Sequence, residues 1–241
     1  MSWEKVSAVA LPEELADTLL ESIVDGQFPV DSVLPSEGEL AQKYGISRLT
    51  VREAVRILRS QNIVTIRRGR GTFVNSPQSW TSLDAVVRIE ERRSHSGHVS
   101  ARLLEARRMV EVGAAQLAAT NRSKEDLDSL AASIEEMRLA NRLNRVDLFV
   151  EADIAFHDVI MHATANMFIP FMFEPFGNLL VNARTETSSI PEIQVNAIAA
   201  HEEILQALTA GDPQRSRDAM EAHMNQTQAD LRRYVLDADQ P

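Results

Sequence analysis

The sequence predicts a mainly α-helical protein, with an N-terminal winged helix-turn-helix, a small two-stranded wing and a C-terminal all-α helical bundle. Three observations lead to this fold class. Positive charge is concentrated in one short N-terminal segment, although the 241-residue chain has a formal net charge of −10. The same segment contains two helix start signals separated by a glycine, followed by a short β-branched stretch. Beyond residue 80, apolar residues recur at helical spacing and no strand pattern is visible.

The composition is that of a folded protein without disulfides. Apolar residues make up 44% of the chain, which is enough for a sizeable core, and there is no cysteine. The lack of cysteine excludes disulfides and thiolate metal sites, and it is compatible with a reducing cytoplasm. The first twenty residues contain no apolar signal core, and the richest apolar stretch, MFIPFMFEPFGNLLV, is interrupted by proline and glutamate. We therefore expect a cytoplasmic protein without a membrane span.

The charge is divided unevenly along the chain. Residues 43–74 carry eight basic residues and one acid, or +7, whereas residues 80–241 carry 16 basic and 25 acidic residues, or −9. This asymmetry is typical of a polyanion-binding module joined to an acidic partner domain. A solvated basic face is the alternative that charge alone leaves open.

Three helices are predicted ahead of the wing. An apolar stripe at helical spacing between residues 15 and 24 predicts the first helix in LPEELADTLLESIVDGQF, with Gly26 as a helix stop. Ser36 and Glu39, three positions apart, form the capping-box pattern that starts a second helix, and Gly45 is a typical helix stop. Ser47 then caps a third helix, RLTVREAVRILRSQN, whose valines and leucine can pack inward while its arginines stay outside.

The second and third helices, joined by a short glycine-containing turn, form a helix-turn-helix. The third helix suits a DNA major groove, because arginine can donate two hydrogen bonds to guanine and a helix N-terminus attracts phosphate. The stretch IVTIRRGRGTFV then predicts a two-stranded wing, with Gly69 and Gly71 allowing a tight turn close to DNA. Arg67, Arg68 and Arg70 would reach phosphates or the minor groove. A winged helix that contacts only proteins is the alternative.

Beyond the wing the sequence predicts only helices. A polar stretch of turn-forming residues, NSPQSWTSLD, separates the two parts, and seven segments of helical periodicity follow it. Cap signals lie between these segments. We therefore predict a winged helix-turn-helix domain over residues 8–75, a linker over 76–82 and an all-helical domain over 83–236.

Four residues of the helical domain form a candidate metal site. Asp153 and His157 are four positions apart and so share one face of a helix, while His201 and His223 lie on two later helices. A carboxylate and three imidazoles from neighbouring helices can close around a divalent ion inside a bundle. A lone helical histidine is more often a structural or surface residue, so the spacing leaves that alternative open. We expect no ligand role for the other three histidines: His95, His98 and His162.

Three motifs occur in order in the N-terminal segment: LPSE-x-ELA, G-x-SR-x-TVREA-x-R-x-L and RRGRGTFV. On these motifs the segment resembles the winged helix of the GntR family of bacterial transcription regulators. Two positions depart from the family, which often has Arg where this chain has Gly38 and Thr where it has Leu49. The first departure removes a contact to phosphate or base, and both leave the usual half-site of the family unassigned here. The resemblance implies DNA contacts by Ser47, Arg48, Thr50, Arg52, Arg68 and Gly69.

The C-terminal part carries a second set of motifs: LLEARRMVEVGAAQLAA, D-x-x-FH, H-x-x-IL-x-AL-x-AGD and AM-x-x-H. It resembles the FCD ligand-binding domain of the FadR subfamily of GntR regulators. In metal-binding members of that subfamily an aspartate and three histidines coordinate zinc, nickel or a similar ion, and a small carboxylate completes the coordination shell. The resemblance assigns the metal ligands to Asp153, His157, His201 and His223.

The same resemblance implies a binding site for the effector. Arg107 would clamp its carboxylate by bidentate hydrogen bonds, with Glu105 in support. An ordinary salt bridge on the helix surface is the alternative for Arg107. Asn182 and Arg184 are further candidates for the lining of the pocket.

The resemblance therefore implies a ligand-responsive transcription regulator that controls a catabolic operon and is not an enzyme. A homodimer would bind a palindromic operator in double-stranded DNA, because twofold protein symmetry implies twofold operator symmetry. The effector would be an organic or sugar acid beside a divalent metal ion, with zinc expected first and nickel or another ion as alternatives.

Three other functions are compatible with parts of the sequence. A metal-dependent hydrolase with a DNA-binding head could use the same ligands, although we find no nucleophile motif and no glutamate at a recognisable general-base spacing. An architectural DNA-binding protein would respond to no metabolite. An acyl-CoA-responsive regulator would lack the metal ligands, which this chain has in full.

Overall fold

The computed structural model describes residues 10–93, 96–173 and 176–236 of the chain. It divides into two compact units, Met1–His95 and Ser96–Pro241. Residues 8 and 9 of the predicted first domain, His95 and the side chain of His98 lie outside the described residues.

The N-terminal unit is a three-helix motif with a hairpin and one additional helix. Its elements are α1 (Ala10–Val24), α2 (Glu37–Tyr44), α3 (Arg48–Ser60), β1 (Val64–Arg67), β2 (Gly71–Val74) and α4 (Leu83–Arg93). The C-terminal unit is helical throughout its described part. Its elements are α5 (Ser96–Asn121), α6 (Lys124–Arg142), α7 (Val146–His162), α8 (Phe168–Phe173), α9 (Gly177–Ser188), α10 (Pro191–Ala210) and α11 (Pro213–Leu231), with a last helical turn over Arg232–Leu236.

The caps predicted for the helix-turn-helix are confirmed. The Glu39 N–H donates to Ser36 Oγ at 3.3 Å, and the Ser36 N–H donates to the Glu39 carboxylate at 2.8 Å, which completes the capping box. Gly45 ends α2 with a φ of 66°, in the left-handed region that favours glycine. Ser47 Oγ accepts from the Thr50 N–H at 3.0 Å at the start of α3. Local capping chemistry therefore sets the turn between the two helices.

The wing is the antiparallel pair of β1 and β2. Its register runs from Val64 opposite Val74 to Arg67 opposite Gly71. The turn between the strands contains Gly69, whose φ is 72°. The inner ends of the strands are buried with the core of the N-terminal unit, while the arginine-rich tip is exposed. The predicted two-stranded wing is thus confirmed.

Helix α4 packs within the N-terminal unit. Val86 and Ile89 lie against the core that α1 and α3 form, and Arg88 Nη1 lies 2.6 Å from the Glu21 carboxylate of α1. The helical domain was predicted to begin at residue 83. The structure instead divides after residue 95, because the apolar face of α4 packs on α1.

The bundle surrounds a core supplied mainly by α5, α6, α7, α10 and α11. Phe149, Phe156 and Met220 are among its largest fully buried side chains. One face of α5 is rich in buried alanines, and small side chains let α11 pack close to it. Because this core is closely packed, the polar side chains buried in it, such as His157, His201 and His223, are held in fixed positions. No helix in the described ranges is both long and apolar enough to cross a membrane.

Candidate functional site

The first turn of α3 presents the polar groups predicted to contact DNA. Arg48 and Arg52 are exposed, while the hydroxyls of Ser47 and Thr50 lie 2.9 Å apart at the helix N-terminus. Arg52 Nη2 lies 2.9 Å from a carboxylate oxygen of Glu37, which raises the pKa of Arg52 through their hydrogen bond. Glu37 therefore orients Arg52 and would compete with a phosphate for it.

The two departures from the family pattern lie beside this surface. The Arg48 guanidinium covers Gly38, where an added Cβ would lie 3.5 Å from Nη2, an ordinary contact distance. Leu49 is 67% exposed, on the face of α3 opposite its buried residues. An apolar group this exposed contributes little to the core, so Leu49 is free to contact a partner.

The wing supplies the remaining two predicted contacts, Arg68 and Gly69, at its exposed tip. Arg67 is held differently, because its guanidinium carbon lies 4.2 Å from the centroid of the Phe73 ring. Arg68 is therefore placed at the tip of the wing, and Arg67 lies against the sheet. All six predicted DNA-contacting residues lie within the N-terminal unit.

Three helices of the bundle bring three buried histidines together. His157 lies on α7, His201 on α10 and His223 on α11, and one ring nitrogen of each lies within 4.8 Å of the others. The Nε2 atoms of His157 and His201 are 3.2 Å apart. Donor atoms of a tetrahedral zinc site with Zn–N bonds of about 2.05 Å are separated by about 3.3 Å. The spacing of the two rings therefore suits coordination of one metal ion.

Two rings of this cluster, those of His201 and His223, are neutral at physiological pH. Burial, with the charges of neighbouring side chains, lowers the pKa of His201 and of His223 well below the usual range. Phe156 stacks on His201 with ring centroids 4.3 Å apart, which fixes the plane of that ring. Neutral imidazoles are the form that binds metal ions, so burial prepares these side chains for coordination.

Asp153, one turn before His157 on α7, is the fourth predicted ligand. Its Oδ1 lies 3.5 Å from His201 Nε2, while its other oxygen contacts the guanidinium of Arg184 on α9. Asp153 is buried and so is Arg184. The structure thus brings the three predicted histidines together, whereas Asp153 contacts His201 and a buried arginine.

Glu111 is the carboxylate that accompanies Arg107. It accepts from Arg107 Nε at 2.7 Å, and its other oxygen lies 2.6 Å from His157 Nδ1, off the direction of a well-formed hydrogen bond. Burial opposes the ionisation of Glu111, but Arg107 and His157 hold its pKa well below the usual range. A carboxylate behind a metal-binding imidazole fixes the orientation of the ring. Glu111 therefore links Arg107 to the histidine cluster.

The prediction for Glu105 needs correction. Glu105 is exposed, whereas Arg107 is buried. Residues two positions apart do not face each other on a helix, but residues four apart do, which is why Glu111 rather than Glu105 pairs with Arg107. This spacing was visible in the sequence. The role of Arg184 had no comparable signal, because its contact with Asp153 depends on how α9 packs on α7, and Asn182 is exposed.

Two cavities lie against these charged groups. One of about 350 Å³ is lined at its inner side by Glu111, His157 and Arg184. A smaller one of about 50 Å³ is bordered by Arg107, Arg184 and His223. The larger volume lies at the small end of the range for ligand sites, about 300–1,000 Å³. The site can therefore receive a small molecule directly beside the histidines.

The two parts of the chain match two known families. Residues 11–74 match the gntR family of bacterial regulatory proteins, and residues 102–226, more than half of the chain, match the FCD domain. Helix α4 lies between the two matched ranges and belongs to neither of them.

Similar proteins include several named regulators. The galactonate operon transcriptional repressor of Escherichia coli (strain K12) is 30% identical over 155 residues, 64% of this chain and 67% of that protein. The regulator LutR of Bacillus subtilis (strain 168) is 28% identical over 220 residues, 88% of this chain and 97% of that protein. The Exu regulon transcriptional regulator of Escherichia coli (strain K12) is 29% identical over 231 residues, covering 90% and 83%.

A solved structure shares the fold. The structure of Lar, which controls the expression of the Listeria monocytogenes agr system, matches 97% of this chain and 100% of that chain, with a TM-score of 0.60. At 18% sequence identity this similarity shows the fold alone.

Proposed function

Because the chain belongs to the GntR family of bacterial regulatory proteins and carries an FCD domain, we propose that a small carboxylate effector beside a buried divalent metal ion controls its DNA binding. The chain is a DNA-binding transcription regulator, since the families and relatives that it matches are regulators and not enzymes. The observation that carries the proposal is the convergence of one ring nitrogen each from His157, His201 and His223 within 4.8 Å. We place the chain in the metal-binding part of the FadR subfamily.

The donor set suits a borderline divalent ion. Three imidazoles and the Asp153 carboxylate give nitrogen and oxygen donors without thiolate, a set that binds zinc and also nickel. Zinc is our first expectation. The Glu111 carboxylate beside His157 would act from behind the ligand, since it contacts Nδ1 while Nε2 points towards His201.

The charge balance of the site supports an anionic effector. Arg107 and Arg184 are buried and are matched by Glu111 and Asp153. A divalent ion adds two positive charges to this balanced group in a buried place. Uncompensated buried charge is costly, so the metal-loaded site favours an anion such as a carboxylate. Arg107, which borders the smaller cavity, is the proposed clamp for that carboxylate.

The DNA-binding residues support a dimeric complex with a palindrome. We propose that two copies of the chain place their α3 helices and wings on two half-sites, which suits a regulator that works on chromosomal DNA in the cytoplasm. Ser47, Arg48, Thr50 and Arg52 contact the major groove and its phosphates from α3. Arg68 and Gly69 approach the backbone or minor groove from the wing.

The effector acts by favouring one arrangement of the dimer over another. A ligand changes DNA affinity only to the extent that it binds the two arrangements differently. Buried charges that change partners on metal and carboxylate binding provide such a difference. We propose that the regulated genes form a catabolic operon for the organic acid that serves as effector.

The test compares metal binding with DNA binding in the full-length protein. Duplexes selected from a random pool supply the operator, and elemental analysis measures the bound metal. His201→Ala is expected to lose the stoichiometric metal and the response of DNA binding to carboxylates. His162→Ala is the matched control for the metal content alone, because His162 is an exposed histidine at the end of α7. Arg142→Ala, an exposed change at the end of α6, is the control for the carboxylate response. Stoichiometric metal in His201→Ala, or an unchanged carboxylate response after chelation, would contradict the proposal.

A further inference from the structure

The walls of the larger cavity differ sharply from its inner end. The inner end carries the charged groups of the site, Glu111, His157 and Arg184. Among the described residues, the walls are formed largely by the apolar side chains of Ile154, Met161, Pro170, Phe171 and Leu180. The cavity therefore offers charge at one end and apolar surface along its length.

The other polar residues of the cavity are paired with each other at its solvent side. Asp158 and His162 are both exposed, and His162 Nδ1 lies 3.3 Å from Asp158 Oδ1. His162 Nδ1 also lies 2.9 Å from the Asp158 carbonyl oxygen. Groups that are hydrated and paired in this way give little directed recognition of hydroxyls deeper in the cavity.

Arg184 supplies an unused donor at the inner end. Its side chain is 6% exposed, and its Nε is a buried nitrogen without a hydrogen-bond partner, although the guanidinium contacts Asp153. A carboxylate bound by the Arg184 guanidinium would give this buried donor an acceptor.

We propose that the effector is a monocarboxylate with an apolar aliphatic or aromatic body, and that it is selected against polyhydroxylated sugar acids. Arg184 receives the carboxylate at the inner end, and the body lies along the apolar wall. This inference rests on the proposed function, because it assigns the ligand of the same effector site. A sugar acid would bury hydroxyl groups against side chains that offer them no hydrogen bond. An apolar body gains instead from leaving water.

The selectivity can be measured on the zinc-loaded full-length protein. Calorimetric titration and thermal shift compare sodium hexanoate and phenylacetate with gluconate and galactonate, which carry the same charge. Hexanoate or phenylacetate is expected to bind at least tenfold more tightly than either sugar acid. Tighter binding of gluconate or galactonate overturns the inference and leaves the proposed function standing. Binding of none of the four acids counts against both.

Two pairs of variants test the positions of the body and the carboxylate. Phe171 and Phe168 are 69% and 67% exposed on the same helix, but only Phe171 lines the cavity. Phe171→Ser should weaken hexanoate or phenylacetate binding about fivefold, and Phe168→Ser should leave it unchanged. Equal effects in the two variants would overturn the placement of the body.

Arg184→Lys keeps the charge but loses the Nε donor and the planar fork. It should weaken carboxylate binding at least tenfold, and the zinc content and melting temperature of the ligand-free variant are measured alongside to show that it is folded and loaded. Val181→Ser, an exposed change on the same helix α9, is its control. Unchanged carboxylate affinity in Arg184→Lys would overturn the role of Arg184. Should Arg184→Lys fold poorly, Phe171→Ser still decides the inference, because Phe171 is exposed.

Discussion

The Nε2 atoms of His157 and His201 lie 3.2 Å apart in the interior of the C-terminal unit. The third ring, His223, has its centroid 4.6 Å from that of His201. At this distance one ring can donate an Nε2–H hydrogen bond to the other, or both nitrogens can bind one metal ion. Metal binding would then replace the hydrogen bond and stabilise the folded state.

The first prediction concerns the pH dependence of stability in the chelated protein. The pKa values of His201 and His223 are lowered in the folded state, mainly by burial. In the unfolded chain the pKa of a histidine is about 6.5. Below that pH the unfolded state binds protons that the folded state does not. The contribution of these two histidines to the free energy of unfolding is therefore complete above about pH 6.5, and it decreases as the pH falls below that value.

The expected loss is about 1.4 kcal/mol per pH unit for each of the two histidines below about pH 6.5. Urea unfolding at pH 7.5 and 5.5, with chelator present, measures it. The double variant His201→Gln/His223→Gln should show a flatter profile because both titrating groups are removed. Parallel profiles for this variant and the wild-type protein would contradict the prediction.

The second prediction compares the free energy of unfolding of a Glu111 variant with that of a Glu105 variant. Glu111→Gln removes the carboxylate that pairs with buried Arg107 and contacts His157. An uncompensated buried charge costs about 3–5 kcal/mol, so the free energy of unfolding should fall by about that amount. Glu105→Gln changes an exposed side chain and should stay within about 0.5 kcal/mol of wild type. Chemical denaturation of both variants decides the matter, and equal effects would argue against the buried pair.

The third prediction concerns the pair of Arg52 and Glu37. Arg52→Ala should weaken DNA binding across sequences and reduce the slope of log affinity against log salt by about 1, because one phosphate contact is lost. Glu37→Gln should have the opposite effect on affinity, since it removes a carboxylate that competes with phosphate 2.9 Å from Arg52. Fluorescence anisotropy at several salt concentrations measures both changes.

Arg142→Ala is the matched control for this experiment, because Arg142 is an exposed arginine at the end of α6 in the C-terminal unit. Its affinity and salt slope should equal those of the wild-type protein. An unchanged salt slope in Arg52→Ala would show that Arg52 makes no phosphate contact.

The sequence predicted those features that depend on neighbouring residues. The capping box of Ser36 and Glu39, the left-handed Gly45 and the hairpin around Gly69 all follow from local backbone chemistry. The face shared by Asp153 and His157 follows from the helical repeat. These features were therefore accessible without tertiary information.

Features that depend on packing between distant segments were harder to predict. The sequence of α4 predicts an amphipathic helix but does not indicate which domain it packs in. Its packing on α1 assigns it to the N-terminal unit. Arg184 meets Asp153 because α9 packs on α7, which no spacing in the sequence reveals. The convergence of His201 and His223 came from resemblance rather than from periodicity. The position of Glu111 could have been deduced from its i, i+4 relation to Arg107, whereas its contact with His157 could not.

The last prediction concerns Leu49 and the sequence of the half-site. Leu49 is 67% exposed in the first turn of α3, the part of a recognition helix that meets base edges. A leucine can contact the C5-methyl group of thymine but can donate no hydrogen bond. Leu49→Thr should therefore change base preference at one position of each half-site, by about 1–3 kcal/mol. The salt slope should not change, since no phosphate contact is altered.

Selection from a random duplex pool gives the preferred half-site of the wild-type protein and of Leu49→Thr. Each thymine of the wild-type site is then replaced by deoxyuridine, which lacks only the C5-methyl group. One such replacement should weaken binding by the wild-type protein but not by Leu49→Ser, because serine has no methyl group to contact the thymine methyl. Leu143→Thr, an exposed leucine of the C-terminal unit, should behave like wild type throughout. If every deoxyuridine duplex binds the wild-type protein undiminished, Leu49 contacts no thymine methyl group, and its exposure has no role in base recognition.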